Sequence, residues 1–290
     1  MKYRFYVLAA ALLFSTGGAA IKATALSSWQ VACLRSLIAA LVLLTLLPEA
    51  RQLRSPRVWL ASLAYASTLV LYVLANKLTT AANAIFLQAT APFYLLVIGP
   101  LLLKEPNRLR DYVLGAVMAA GMALFFLDPS GASALAPNPA LGNLLAAITG
   151  FTWALTVTAL RSLSKQAGAS SLPVVSAGNL VAFAASLPFA IPLGGIGAAD
   201  AATLLYLGVI QIGLAYFCIT QGVKHVPAFE ASVLILLEPA MNPVWTYLLH
   251  GERPGAFSLA GGIVIMGATV AHTLTAPRAA PPQTRQSPPG

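Results

Sequence analysis

Read from its amino terminus, the chain alternates long apolar stretches with short polar breaks. Phe5–Ala20, Trp29–Leu47, Val58–Ala75, Ala82–Leu103 and Tyr112–Leu127 fill the first half; Leu141–Leu160, Ser171–Ile191, Ala201–Gln221, Ala228–Leu249 and Phe257–Leu274 fill the second. Most approach the ~20 residues that carry an α-helix across ~30 Å of hydrocarbon. Within a bilayer no water satisfies backbone N–H and C=O groups, so such runs take the form whose hydrogen bonds close internally. The pattern predicts an all-α integral membrane protein with ten transmembrane helices.

The second feature of the pattern is that it repeats. Pro92 and Glu105 recur as Pro239 and Glu252, both at an offset of 147, and the same offset pairs Lys77 with Lys224, Ala84 with Ala231 and Leu87 with Leu234. It continues gapless through Val97 with Val244, Leu101 with Leu248, Gly115 with Gly262 and Val117 with Val264. Weaker registers extend it: Phe14 with Trp153, Ala20 with Ala159 and Lys22 with Arg161 at 139, then Val31 with Val175 and Pro48 with Pro192 at 144. Duplicated membrane halves point towards transporters, whose moving parts are commonly repeats. Repeat one is read as 1–127, a Pro-, Ser- and Ala-rich linker as 128–138, repeat two as 139–275 and a disordered cytoplasmic tail as 276–290. Five crossings per repeat is an odd number, so the second repeat is expected upside down relative to the first.

Composition agrees with that solvent. Hydrophobic residues make up 58% of the 290 and charged residues 9%, against roughly 25% charged in a soluble domain. A net charge of +9 raises the question of nucleic acid, and its distribution answers it. With the amino terminus inside, thirteen of the 17 Lys and Arg fall in inside connections or termini. Only Lys22, Lys77 and Arg253 fall outside, and Arg35 lies within a helix. This positive-inside bias favours both termini in the cytoplasm and leaves no nucleic-acid partner implied. Lys2, Arg4 and Ala23-Thr24-Ala25 resemble a cleavable signal peptide, but cleavage would leave repeat two without its partner helix. Cys33 and Cys218 sit at different depths, too far apart for a disulfide, and read as small core residues.

Thr79-Thr80-Ala81-Ala82-Asn83-Ala84, Ala91-Pro92, Lys104-Glu105, Gly115 and Gly121 resemble the EamA repeat of the drug/metabolite transporter superfamily. So do Val226-Pro227-Ala228-Phe229-Glu230-Ala231-Ser232, Leu237-Glu238-Pro239, Gly251-Glu252-Arg253 and Gly261-Gly262. Leu205-Tyr206-Leu207-Gly208 with Leu214-Ala215-Tyr216 looks like that family's eighth helix, and Arg35-Ser36-Leu37-Ile38-Ala39-Ala40 like its second. The resemblance covers nearly the whole chain; Pro106 departs from the Arg or Lys often found after the Glu. It implies two inverted five-helix halves around a central cavity, in a superfamily of metabolite exporters, importers and phosphorylated-sugar exchangers.

Polar groups at membrane depth are functional candidates by default. Glu238 lies about eleven residues into its run, roughly 16 Å at 1.5 Å per residue, and directly precedes Pro239. It reads either as a cavity carboxylate for an amine or proton, or as a structural acid paired with Arg35. Arg35, at similar depth, reads as the holder of a substrate carboxylate, as that partner, or as a snorkelling side chain. Its repeat counterpart is Asn179. Gln88, Asn242, Gln211 and Gln221 are amides that bind substrate or glue helices. Phe14, Trp153, Tyr72 and Tyr216 are candidates for an aromatic cavity wall. Pro92 and Pro239 read as symmetric hinges, and Gly115, Gly121, Gly261, Gly262 and Gly267 as close-packing positions.

His225, His250 and His272 have no ligand spacing, and neither a catalytic triad nor a phosphate-binding loop appears. No enzyme, cofactor or metal is therefore expected. The expected function is an alternating-access secondary carrier, monomeric or weakly dimeric, exporting a small metabolite, with amino acids first because one Arg and one Glu can bracket a zwitterion. An importer or exchanger of another metabolite (a drug, a sugar phosphate, a nucleotide-linked compound) and a channel-like facilitator are the alternatives.

Overall fold

A computed structural model of the chain describes residues 2–103, 107, 109–127, 132–164, 170–223, 225–226, 231 and 234–275. Among them every regular element is helical, the one bridge-like pairing being Ser133 with Ala136. The helices are α1 (Lys2–Ala23), α2 (Ser28–Leu46), α3 (Pro56–Leu78), α4 (Ala81–Leu102) and α5 (Leu109–Leu127). After the linker come α6 (Pro139–Ser164), α7 (Leu172–Ala190), α8 (Ala198–Gly222), α9 (Leu237–His250) and α10 (Ala256–Thr275). Eight of them, α1 to α8, are long and apolar enough to cross a membrane, and the apolar part of α10, Ala256–Ala271, is shorter. The expected ninth crossing is described continuously only from Leu234 on; Pro227–Glu230 and Ser232, like Lys104, Glu105, Pro106 and the tail, lie outside the described residues.

Local chemistry sets the helix ends. Ser27 and Gln30 form a capping box at the start of α2, and Thr80 Oγ1 accepts the Asn83 N–H at the start of α4. Pro56 opens α3, where its missing N–H costs nothing. α9 ends on Gly251 at φ 65°, a left-handed cap that a side chain would strain.

The outer surface is apolar: Leu60, Leu109 and Ile263 are each more than 70% exposed. Conversely, Arg35, Asn76, Asn143, Asn179 and Asn242 are buried. This inversion suits a hydrocarbon solvent. Helices pair as the duplication requires. α3 packs on α6 and α1 on α8, two pairings that exchange when the halves are swapped, while α2–α7 and α5–α10 map onto themselves.

Glycines bring these pairs close. A Cβ on Gly115 would strike Leu96, one on Gly121 would strike Ile265 and Val264, one on Gly261 the Gly121 carbonyl, and one on Gly262 the Phe86 ring. Gly267 corrects the expectation made for it: nothing lies within 4 Å of its missing Cβ, because it faces away from every neighbouring helix.

Three helices are interrupted. α1 breaks at Thr16, ahead of Gly17 and Gly18. α4 breaks at Ala89–Thr90, directly before Ala91-Pro92, and a turn at Leu236 separates α9 from the helical residues Leu234 and Ile235 before it, directly ahead of Leu237-Glu238-Pro239. At the 147-residue offset Ala89 corresponds to Leu236, so the two prolines restart their helices at matching positions. α8 carries a π-helical stretch, Tyr206–Leu214.

Candidate functional site: a tyrosine-lined centre and a charged end

The centre is assembled from both halves. α3 supplies Tyr65, Leu69, Tyr72 and Asn76, whose spacing of four, three and four places them on one helix face. That face meets Arg35 of α2, which is 2% exposed and donates from Nη2 to the Leu69 carbonyl at 3.2 Å. Tyr65, Tyr72 and Tyr216 all lie within electrostatic reach of its guanidinium. Glu238 of α9 lies within reach of Tyr72 and Tyr216, and Asn242, one turn on, donates to the Tyr72 hydroxyl at 3.4 Å. Asn179 of α7 donates to the Val175 carbonyl at 2.8 Å beside Tyr65. Phe14 stands edge-on to Tyr216 at 5.1 Å between centroids, and Tyr65 does so at 6.0 Å from the other side.

Two observations mark this group as the candidate site. Arg35 and Glu238, the nearest opposite charges by the sequence reading, form no ion pair among the described residues, and Glu238 accepts no hydrogen bond from any of them. Tyr72, Tyr216 and Glu238 are only half-buried, so each keeps surface that no protein group covers. On these helices lie buried polar atoms without a hydrogen-bond partner: Arg35 Nε, Tyr65 Oη, Asn76 Oδ1, Asn179 Oδ1 and Asn242 Oδ1. Buried polar groups are partnered in the great majority of cases, so a cluster that is not is a place for a ligand.

Of the residues singled out in the sequence, Arg35, Glu238, Asn242, Asn179, Tyr72, Tyr216 and Phe14 are thus brought together. Trp153 of α6, like Leu69 and Tyr216, packs against the apolar cluster that contains Tyr65. Gln211 faces α1, donating to the Phe14 carbonyl at 3.5 Å, where only Gly17 leaves room for its amide. Gln88, its Oε1 unpartnered, stays on α4 just before the break. Gln221 lines a small cavity of about 130 Å³ with Leu172, Phe217, Thr220 and the α2–α3 turn, at the end of the molecule that carries the amino terminus. Cys33 and Cys218 are both free and buried, and His225 stacks on Tyr3 at 3.7 Å.

Sequence reasoning missed Tyr65 and Asn76, although their positions relative to Tyr72 give the signal of a shared face. It also missed a second cluster, at the opposite end. There Lys22 Nζ meets Glu252 Oε2 at 3.0 Å, and also donates to the carbonyls of Thr79 (2.9 Å) and Leu135. Glu252 Oε1 accepts the Ala81 N–H at 2.7 Å, capping the start of α4. Lys77 donates to Thr24 O at 2.6 Å, Asp200 accepts the Ala25 N–H at 2.9 Å, and His250 Nε2 lies 2.8 Å from Ala19 O. Beneath them Asn143 accepts from Thr79 and Asn83 and donates to Phe125 O.

Comparison with known proteins gives a consistent family. A Bacillus subtilis (strain 168) protein named Uncharacterized transporter YdfC is 26% identical over 215 residues, 72% of this chain and 67% of its own. An Archaeoglobus fulgidus protein named Uncharacterized transporter is also 26% identical over 215 residues, covering 71% of this chain and 72% of its own. A solved crystal structure superposes over 94% of this chain and 96% of its own with a TM-score of 0.63 at 19% identity, which bears on the fold alone. The sequence model of the EamA-like transporter family matches residues 1–127 and again 140–273, one match for each half of the duplication. The chain belongs to the EamA-like transporter family and is a membrane transporter of small solutes.

Proposed function

We propose that the chain is a secondary carrier of ten transmembrane helices in a bacterial inner membrane, exporting a small amphipathic metabolite, with amino acids as the substrate class. The observation that carries this reading is the unpaired Arg35 and Glu238 in one tyrosine-lined centre, each free to take a group of opposite charge. Arg35 holds a carboxylate through its fork of N–H donors. Glu238 takes the ammonium, and the free amide oxygens of Asn179 and Asn242 accept its remaining protons. Phe14, Tyr65 and Tyr216 pack the apolar part of the substrate. A single deep cation disfavours phosphorylated substrates, which need more positive charge.

Both termini lie in the cytoplasm, following the distribution of Lys and Arg. The Lys22–Glu252 end is then the outer end, and the cavity beside Thr220, one turn from Tyr216, is the inner approach. The two inverted halves exchange shapes to move substrate, bending where α4 and α9 break before Pro92 and Pro239. The test is uptake and counterflow of a panel of labelled amino acids by the purified protein in liposomes. Saturable flux with counterflow, lost at least tenfold in both Arg35→Gln and Glu238→Gln, supports the reading. Equal flux by the doubly neutralised protein sinks the zwitterion assignment, and flux that never saturates identifies a channel-like facilitator.

A further inference from the structure

We propose that the Lys22–Glu252 ion pair is the latch of the outer mouth, holding it shut while dry and releasing it once water separates the charges. The inference rests on the carrier reading above and adds the device that closes one side of it.

The geometry is that of a fastening and not of a second binding site. An ammonium has three donors, and Lys22 has committed all three, to Glu252 Oε2, Thr79 O and Leu135 O. Glu252 Oε1 is committed to the Ala81 N–H, and its Oε2 has only the ammonium for a partner. The ammonium has no donor left over for a ligand. The contacts also join what has to separate. Lys22 closes α1, Thr79 and Ala81 form the α3–α4 turn, Leu135 lies between the repeats, and Glu252 opens the α9–α10 connection of the other half. His250 with Ala19 O and Asp200 with Ala25 N cross between the halves at the same end.

The pair is suited to switching because it is dry. The side chains of Lys22 and Glu252 are 2% and 3% accessible. Attraction between unit charges scales inversely with the effective dielectric constant, so entry of water weakens it several-fold and hydrates both ions at once. The bond is strong only when the mouth is shut, which makes closure all-or-none. Its pull is applied to the first residue of α4, whose break at Ala89–Thr90 lies roughly 13 Å along the helix at 1.5 Å per residue. Opening the latch therefore frees the segment that ends at the hinge.

The test reads which face of the membrane reaches the centre. Cys33 and Cys218 are replaced by Ala, a reporter is introduced as Tyr72→Cys, and a membrane-impermeant maleimide is applied to right-side-out or inside-out vesicles. Glu252→Gln, which keeps an acceptor for Ala81 N–H, and Lys22→Met are each expected to raise the outer-to-inner ratio of labelling rates at least tenfold. Glu252→Asp, which keeps the charge but shortens its reach, is expected to give an intermediate ratio, and it serves if either neutral variant fails to fold. A ratio unmoved in the folded variants, while the otherwise unaltered reporter chain labels from both faces, overturns the latch alone. Labelling of every chain from one face only overturns the carrier reading and the latch with it.

Discussion

Gly142 sits where α6 crosses the end of α3, and replacing it by Ala tests the packing where the close neighbours include backbone. The added Cβ would lie 2.6 Å from both Cβ and N of Thr79 and 2.9 Å from the Leu78 carbonyl carbon. Two of the three are backbone atoms, so no rotamer change relieves the clash. Reaching an ordinary 3.4 Å contact means moving α6 away by about 0.8 Å at this point. That displacement stretches Asn138 N–H to Leu78 O (3.0 Å) and Thr79 Oγ1 to Asn143 Oδ1 (2.7 Å). Overpacking costs about 1–3 kcal/mol, and two weakened hydrogen bonds add about 1 kcal/mol, for a total of roughly 2–4 kcal/mol. Gly267→Ala is the matched control. It has no neighbour within 4 Å of the new methyl and exchanges a poor helix former for the best, a gain of up to about 1 kcal/mol. Equilibrium unfolding in mixed detergent–SDS micelles, followed by circular dichroism, reads both. A Gly142→Ala protein as stable as the parent, or a Gly267→Ala protein destabilised equally, would refute the packing argument.

Asn143→Ala removes the acceptor of Thr79 Oγ1 and the side-chain donor to the Phe125 carbonyl, and leaves Asn83 Nδ2 only its 3.3 Å bond to Thr79 Oγ1; the same unfolding assay is expected to show a loss of about 1–3 kcal/mol. Tyr65→Phe removes a buried hydroxyl that has no protein partner, so stability should change by less than about 0.5 kcal/mol while substrate affinity in binding or counterflow assays falls several-fold. Thr68→Val breaks the 2.8 Å bond to Thr152 between α3 and α6 and should cost about 1 kcal/mol in the unfolding titration. Pro92→Ala and Pro239→Ala let α4 and α9 run straight; liposome flux should slow in each while the half-saturating substrate concentration stays within about twofold, since the uniform binding contacts are untouched.

The helices were legible because hydrocarbon imposes a length and forbids alternatives, so the apolar run Val58–Ala75 became α3 with its ends shifted by a few residues. The breaks in α4 and α9 were legible because proline at a repeated position has a fixed backbone consequence. The centre was legible in outline from depth: Arg35, Glu238 and Asn242 stand out as polar letters in apolar text. Tyr65 did not, because a tyrosine in such a run reads as packing until its face is known. The Lys22–Glu252 pair was invisible because each residue sits at a helix end, where a charge normally faces water. What buries them is the convergence of α1, α4 and α9, which depends on Gly18 accepting Asn242 and Ala81 at contact distance. A chain-local pattern does not encode that convergence.

The cap that Glu252 places on α4 also orders the assembly of the protein in time. The Ala81 N–H and the carboxylate that satisfies it are 171 residues apart, so during synthesis the first half enters the membrane with the start of α4 unfinished. Lys22 waits longer still, since its ion-pair partner Glu252 follows it by 230 residues (252 − 22). The hydrogen bonding at the end of the first half is therefore completed only by residues of the second.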